Sequence, residues 1–189
     1  MREFPPRLPG QPIFYPVANI VYARQIARDW NVADDRSGFA GFVTAFEVEK
    51  TYLGKFEPHL VGSLEHIEYW IPAGDLRAFN AAICGLIRVG EGFFGASFTG
   101  SIPDKCGLKG RDATAQFVTL YENWDYSTFD VTCEVSVNRK SVFLNWLFWS
   151  QHDFSKFGID QEQRRIMLRH LQEVWAFNHI DIPLPGAEY

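Results

Sequence analysis

This sequence predicts an α+β fold built from two small units, and three observations carry that prediction. The chain has 189 residues, room for one domain or two small ones. Aromatic residues make up 16% of it, as 17 Phe, 7 Tyr and 6 Trp, a load that favours cores containing strands. The spacing of apolar residues also switches along the chain between two and about 3.6, the periods of strand and helix.

The elements follow in order. Prolines at positions 5, 6 and 9 keep the entry segment extended, and Ile13 to Val17 reads as a short strand. Asn19 is placed to cap a helix in which Ala23, Ile26, Ala27 and Trp30 recur at helical spacing. From Phe39 the period is two, with Phe42, Thr44, Phe46 and Val48 on one face, and Thr51 to Val61 continues extended. A third strand runs from Leu64 to Ile71 and ends at Pro72. A short helix, Gly74 to Ala82, and a small strand, Leu86 to Val89, complete the first unit.

Seven of the 15 glycines lie between Gly85 and Gly110, which divides the chain into residues 1–90 and 91–189. The second unit carries 13 of the 23 acidic side chains. It reads as a strand from Phe93 to Thr99, a helix from Arg111 to Asn123, two antiparallel strands and a last helix. The first of the two strands, Thr128 to Val137, alternates with Phe129, Val131, Cys133, Val135 and Val137 inward. The second, Ser141 to Trp149, is nearly all apolar and therefore central. The last helix opens with a capping box, Asp160 and Gln163.

Charge and cysteine usage narrow the function. A net charge of −5 offers no attraction to phosphate backbones or anionic lipid, which argues against nucleic-acid and membrane partners. No run approaches the roughly 18 apolar residues of a membrane span, and the proline-broken N-terminus does not read as a signal peptide. Cys84, Cys106 and Cys133 are too far apart for a CxxC metal pair, so free thiols in a reducing cytoplasm are expected, with Cys133 packed as a small hydrophobe. No metal site is expected.

Two stretches suggest chemistry. In Glu65-His66-Ile67-Glu68-Tyr69-Trp70-Ile71-Pro72, strand alternation puts His66, Glu68 and Trp70 on one face, a carboxylate beside an imidazole and an indole. The competing reading is a solvated face on which Glu68 pairs with a Lys or Arg of the next strand. In the second stretch a strand carrying Tyr15 runs into a helix carrying Tyr22, so both phenols could flank a flat ring. On spacing alone, the reading of both as ordinary amphipathic core residues is favoured. Elsewhere, His152-Asp153 reads as a capping turn, Asp112 as a helix start, and His170 with Glu173 as a solvated helix face.

Residues 4–89 resemble a bacterial family labelled ADP-ribosylation/crystallin-like. The resemblance is carried by Phe4-Pro5-Pro6-Arg7-Leu8-Pro9, by Ile13-Phe14-Tyr15-Pro16-Val17, by Tyr22 to Asn31, by Phe42 to Val48, and by His66 to Ala73. It implies an ADP-ribosyltransferase-like fold of small mixed sheets and nicotinamide adenine dinucleotide (NAD) as substrate. It implies Glu68 as the catalytic carboxylate, and Tyr15, Tyr22 and His66 as the residues that hold the dinucleotide. Family members carry an earlier strand with an Arg-Pro pair that does not precede Phe4 here. The rival expectation is therefore a non-catalytic binding protein, such as a toxin neutraliser or defence-system component, with Trp124, Trp146, Trp149 and Trp175 available for an interface. A dimer that completes the site is a third arrangement.

Overall fold

The computed structural model describes residues 1–124, 126–178 and 181–186. Its fold class is α+β: small antiparallel two-stranded sheets in the first half, followed by packed helices.

The N-terminal elements form largely where local sequence demands them. β1 (Ile13–Phe14) follows the proline-rich entry. Asn19 caps α1 (Ile20–Gln25), its Oδ1 accepting the Tyr22 N–H at 2.9 Å, an orphan donor of the first turn. The helix continues as a π turn over Ile26–Trp30. β2 (Ala40–Val48) crosses it closely, and a Cβ on Gly41 would collide with the backbone of Ala27.

Residues 51–61 depart from the expected extended run. α2 (Lys50–Leu53) forms instead, its first turn closed by Tyr52 and Leu53 N–H groups donating to Glu49 O, and only β3 (Pro58–Leu60) is strand. The reason is packing, because the turn places Tyr52 and Leu53 against Ile71, Leu76 and Phe79. The expected strand from Leu64 to Ile71 is broken as well. β4 (Ile67–Tyr69) pairs with β3, while β5 (Ile71–Pro72) pairs with β1. α3 (Leu76–Ala81) lies within the span expected to be helical. The small strand at Leu86–Val89 is part of β6 (Ile83–Phe94), which passes through residue 90 without a break and pairs with β2 from Val48↔Ile83 to Ala40↔Phe94. Strand structure stops at Phe94 rather than Thr99.

α4 (Ala113–Trp124) and α7 (Gln161–Asn178) match the two expected helices. Asp112 Oδ1 accepts from Ala115 N, and Asp160 and Gln163 exchange hydrogen bonds of 2.8 Å each. The two strands expected between them are helices: α5 (Thr128–Val137) and α6 (Arg139–Gln151). Val131 and Val135 are fully buried, but Cys133 is exposed and Val137 is 46% exposed, a period of four and not of two. Cys133 is thus no core residue. The side chain of Phe129 lies outside the described ones. In α6, Val142, Trp146 and Trp149 recur at i, i+4 and i+7 and are all buried.

Two apolar clusters result. Ile71, Leu76 and Phe79 anchor the smaller, with Phe4, Phe14, Phe46 and Ile83 packed on it. The larger holds Phe117, Leu120, Val131, Trp149 and Leu171 among others, and Phe42, Val89 and Phe94 of the β2–β6 ribbon join it. The fully buried Trp149 contributes on the order of 5 kcal/mol of gross apolar transfer, and its indole N–H donates to Ala113 O at 2.7 Å.

Among the described residues, the buried polar side chains of this half are all partnered. Asn145 Oδ1 accepts from Ser101 N at 2.8 Å, while its amide donates to Ser101 O and Gln116 Oε1 at 3.0 Å each. Glu134 accepts from Gly107 N, Leu108 N and Asn138 Nδ2 at 2.6, 3.4 and 2.9 Å, pinning a 3-10 turn with one carboxylate.

Candidate functional site

β4 is only three residues long, yet both of its edges are tied. On one side His59 stands in register with Glu68. On the other, Val17 bridges to Glu68, with Ala18 N donating to Ile67 O and Tyr69 N to Pro16 O, each at 2.9 Å. Alternation then sends Tyr69 into the small cluster and Glu68 to the opposite face.

On that face the Tyr22 hydroxyl donates to Glu68 Oε1 at 2.8 Å and the Trp70 indole N–H donates to Oε2 at 3.1 Å. Neither partner is a Lys or Arg, and among the described residues no basic side chain forms an ion pair with Glu68. Tyr22 is 3% exposed. Burial first, and then the hydrogen bond to Glu68 and its charge, push the Tyr22 phenol up to about 12. The phenol therefore stays protonated and remains a donor.

His66 stacks on Tyr22, with centroids 4.2 Å apart and planes 17° from parallel, and its Nε2–H donates to Gln25 Oε1 at 2.8 Å. Asn19, besides capping α1, donates from Nδ2 to Glu65 O, which fastens the turn before β4 to the start of that helix. Gly62 is needed in the same turn, where a Cβ would stand 2.9 Å from His66 Nδ1.

The outer part of the site is aromatic. Trp70 is 41% exposed and Tyr15 48% exposed. Their rings meet edge to face at 6.2 Å, and His59 stacks on Trp70 at 4.1 Å. The result is a half-buried carboxylate held by two internal donors and rimmed by flat rings. Each carboxylate oxygen keeps a second lone pair for an incoming group.

Of the four residues expected here, Tyr22 contacts both Glu68 and His66, and Tyr15 reaches Glu68 through Trp70. His59 and Gln25 were not anticipated. Gln25 lies three residues after Tyr22 on one helix, a spacing that places both on one face. His59 depends on strand register, which the sequence of β4 alone does not contain.

The other stretches resolve more simply. Asp153 accepts from Ser155 N at 2.9 Å and Ser155 Oγ at 3.0 Å, a capping turn. His170 stacks on Trp124 at 4.1 Å and lies 3.5 Å from Glu173. Trp146, Trp149 and Trp175 are buried, so they build the core and not an interface. Among the described residues there is no cluster of three metal-ligating side chains, and no helix is long and apolar enough to cross a membrane.

Comparison of this chain with protein-family models, with curated proteins and with solved structures finds no match.

Proposed function

We propose that the Glu68 face binds NAD and cleaves its nicotinamide–ribose bond, passing ADP-ribose to water or to an acceptor hydroxyl or amine. The observation that carries this reading is the fixed carboxylate, with Tyr22 on one oxygen and Trp70 on the other. As nicotinamide leaves with the electron pair of the C–N bond, positive charge develops on the ribose carbon and ring oxygen. A preset anion stabilises that charge without reorganising. Tyr15 and Trp70, both partly exposed, offer aromatic surface to a flat leaving group. The nucleophile supplies the new bond and loses one proton to solvent.

The test is release of nicotinamide from NAD, followed by chromatography. Glu68→Gln keeps the shape and one of the two acceptor oxygens but removes the charge, and is expected to lower the rate at least about 100-fold, as the loss of one preset electrostatic group does. Wild-type protein that releases no nicotinamide overturns the catalytic reading.

A second reading is a binding protein without catalysis. It is favoured by the fact that both Glu68 oxygens already accept hydrogen bonds from their own chain. Calorimetric heat with NAD but no turnover would support it.

A further inference from the structure

A cleft lies away from Glu68, where the glycine-rich end of β6 passes beneath the C-terminal end of α6. It encloses about 760 Å³, within the size range of small-molecule sites. Its floor is kept open by missing side chains. A Cβ on Gly92 would stand 3.1 Å from Leu147 and 2.9 Å from Phe94, and a Cβ on Gly90 would meet nothing within 4 Å.

Its walls are aromatic. Phe94, Phe98 and Phe148 form a closed set of ring contacts, with centroids 4.7 to 5.4 Å apart. His152 extends the row by stacking on Phe148 at 4.5 Å and 26°. Among the described residues nothing hydrogen-bonds either ring nitrogen of His152; its recorded bonds are through the backbone. Burial lowers the imidazole pKa from its ordinary value, so near neutral pH the ring is uncharged and offers one donor and one acceptor. Thr114 and Gln151 line the same cleft. The one carboxylate there, Glu91, is held by Arg24 through contacts of 2.6 to 3.0 Å, so the cleft presents no free charge to a ligand.

We infer that this cleft is a second ligand site, which takes a flat, uncharged nitrogen heterocycle stacked among Phe94, Phe98 and Phe148 with its polar edge on His152. Flat rings satisfy the walls, and a ring nitrogen or exocyclic amine satisfies an imidazole whose nitrogens have no hydrogen-bond partner among the described residues. A charged ligand would lose its hydration without gaining a counter-ion. The site shares no lining residue with the Glu68 face, so it stands independently of the reading proposed for that face.

Adenine is the probe, with indole as the control for apolar stacking alone, each followed by saturation-transfer NMR and by the His152 Cε1–H resonance of the intact chain. Adenine is expected to bind over a millimolar range, to shift that resonance, and to bind more tightly than indole. His152→Phe keeps the stack but removes the hydrogen-bonding edge, and is expected to weaken adenine by up to about tenfold, the worth of one hydrogen bond, while leaving indole unchanged. Ala96→Trp fills the mouth from an exposed position and is expected to abolish both. Absence of adenine binding, or equal affinities for adenine and indole that neither variant alters, overturns the inference. Should His152→Phe fail to fold, the Ala96→Trp variant and the wild-type resonance still decide the matter.

Discussion

The Tyr22 hydroxyl and the Glu68 carboxylate, 46 positions apart in the chain, meet at 2.8 Å and lock helix α1 to strand β4. The pair combines two properties that seldom coincide: a phenol buried enough to stay protonated and a carboxylate exposed enough to meet a ligand. Its consequences can be measured without knowing any substrate.

Tyr22→Phe removes the donor and nothing else of the ring. The expected loss is about 1 kcal/mol in urea denaturation. Subtracting the variant's spectrophotometric titration from that of wild type should isolate one phenol ionising near pH 12. Because the folded value lies above the ordinary 10.0, the stability that Tyr22 contributes is fully present below pH 10 and is lost as pH rises towards 12. A difference titration centred at 10 would show that the phenol is not held by this pair.

Gly41→Ala should be far more damaging than its size suggests. The new methyl has nowhere to go but into the Ala27 backbone, which cannot yield as a side-chain tip can. A loss of about 3 kcal/mol or more is expected, read as a fall in the denaturation midpoint. Gly90→Ala, at an open position, is the matched control.

Glu134→Gln tests the buried carboxylate. The amide would present an N–H to a site that already faces the N–H groups of Gly107, Leu108 and Asn138. A loss of about 1–3 kcal/mol is expected, together with faster amide exchange at Gly107 and Leu108. Unchanged exchange at those two amides would refute this account.

His152 gives stability a slope on the acid side. Desolvation depresses its pKa most, Arg164 and Lys156 add to that, and Asp153 opposes. The folded state therefore binds fewer protons than the unfolded chain just below pH 6.5, and the stability present above 6.5 is lost as pH falls through the folded value. Replacing His152 with Phe should flatten that part of the pH–stability curve. A slope that persists in the variant would assign the effect to other groups.

Much of the N-terminal half was legible because its signals are local. Asn19 caps α1 as its position suggested, Pro72 closes the last short strand, and the Asp160–Gln163 box opens α7. The face shared by His66, Glu68 and Trp70 was legible from alternation alone. What alternation could not supply was the identity of the partners. A Lys or Arg was the natural guess for Glu68, and a phenol and an indole took the place. Residues 128–149 carry an ambiguous period. Val131, Cys133, Val135 and Val137 satisfy a period of two, but Val131 and Val135 alone satisfy a period of four, and the sequence does not say that Cys133 and Val137 face solvent. The division near residue 90 follows glycines, of which Gly95 serves a close approach to the Val32 backbone while Gly92, Gly100 and Gly107 lie against side chains.

The β2–β6 ribbon also sets an order of events in time. Its nearest paired residues, Val48 and Ile83, are separated by 34 intervening positions, and Ala40 and Phe94 by 53. Those loops must close before the ribbon can exist, and both apolar clusters draw residues from it. Neither cluster can therefore be completed early while the other waits. Closure of this one long-range ribbon is therefore expected to be a slow step that both halves share, so that a substitution slowing it delays both together in stopped-flow refolding.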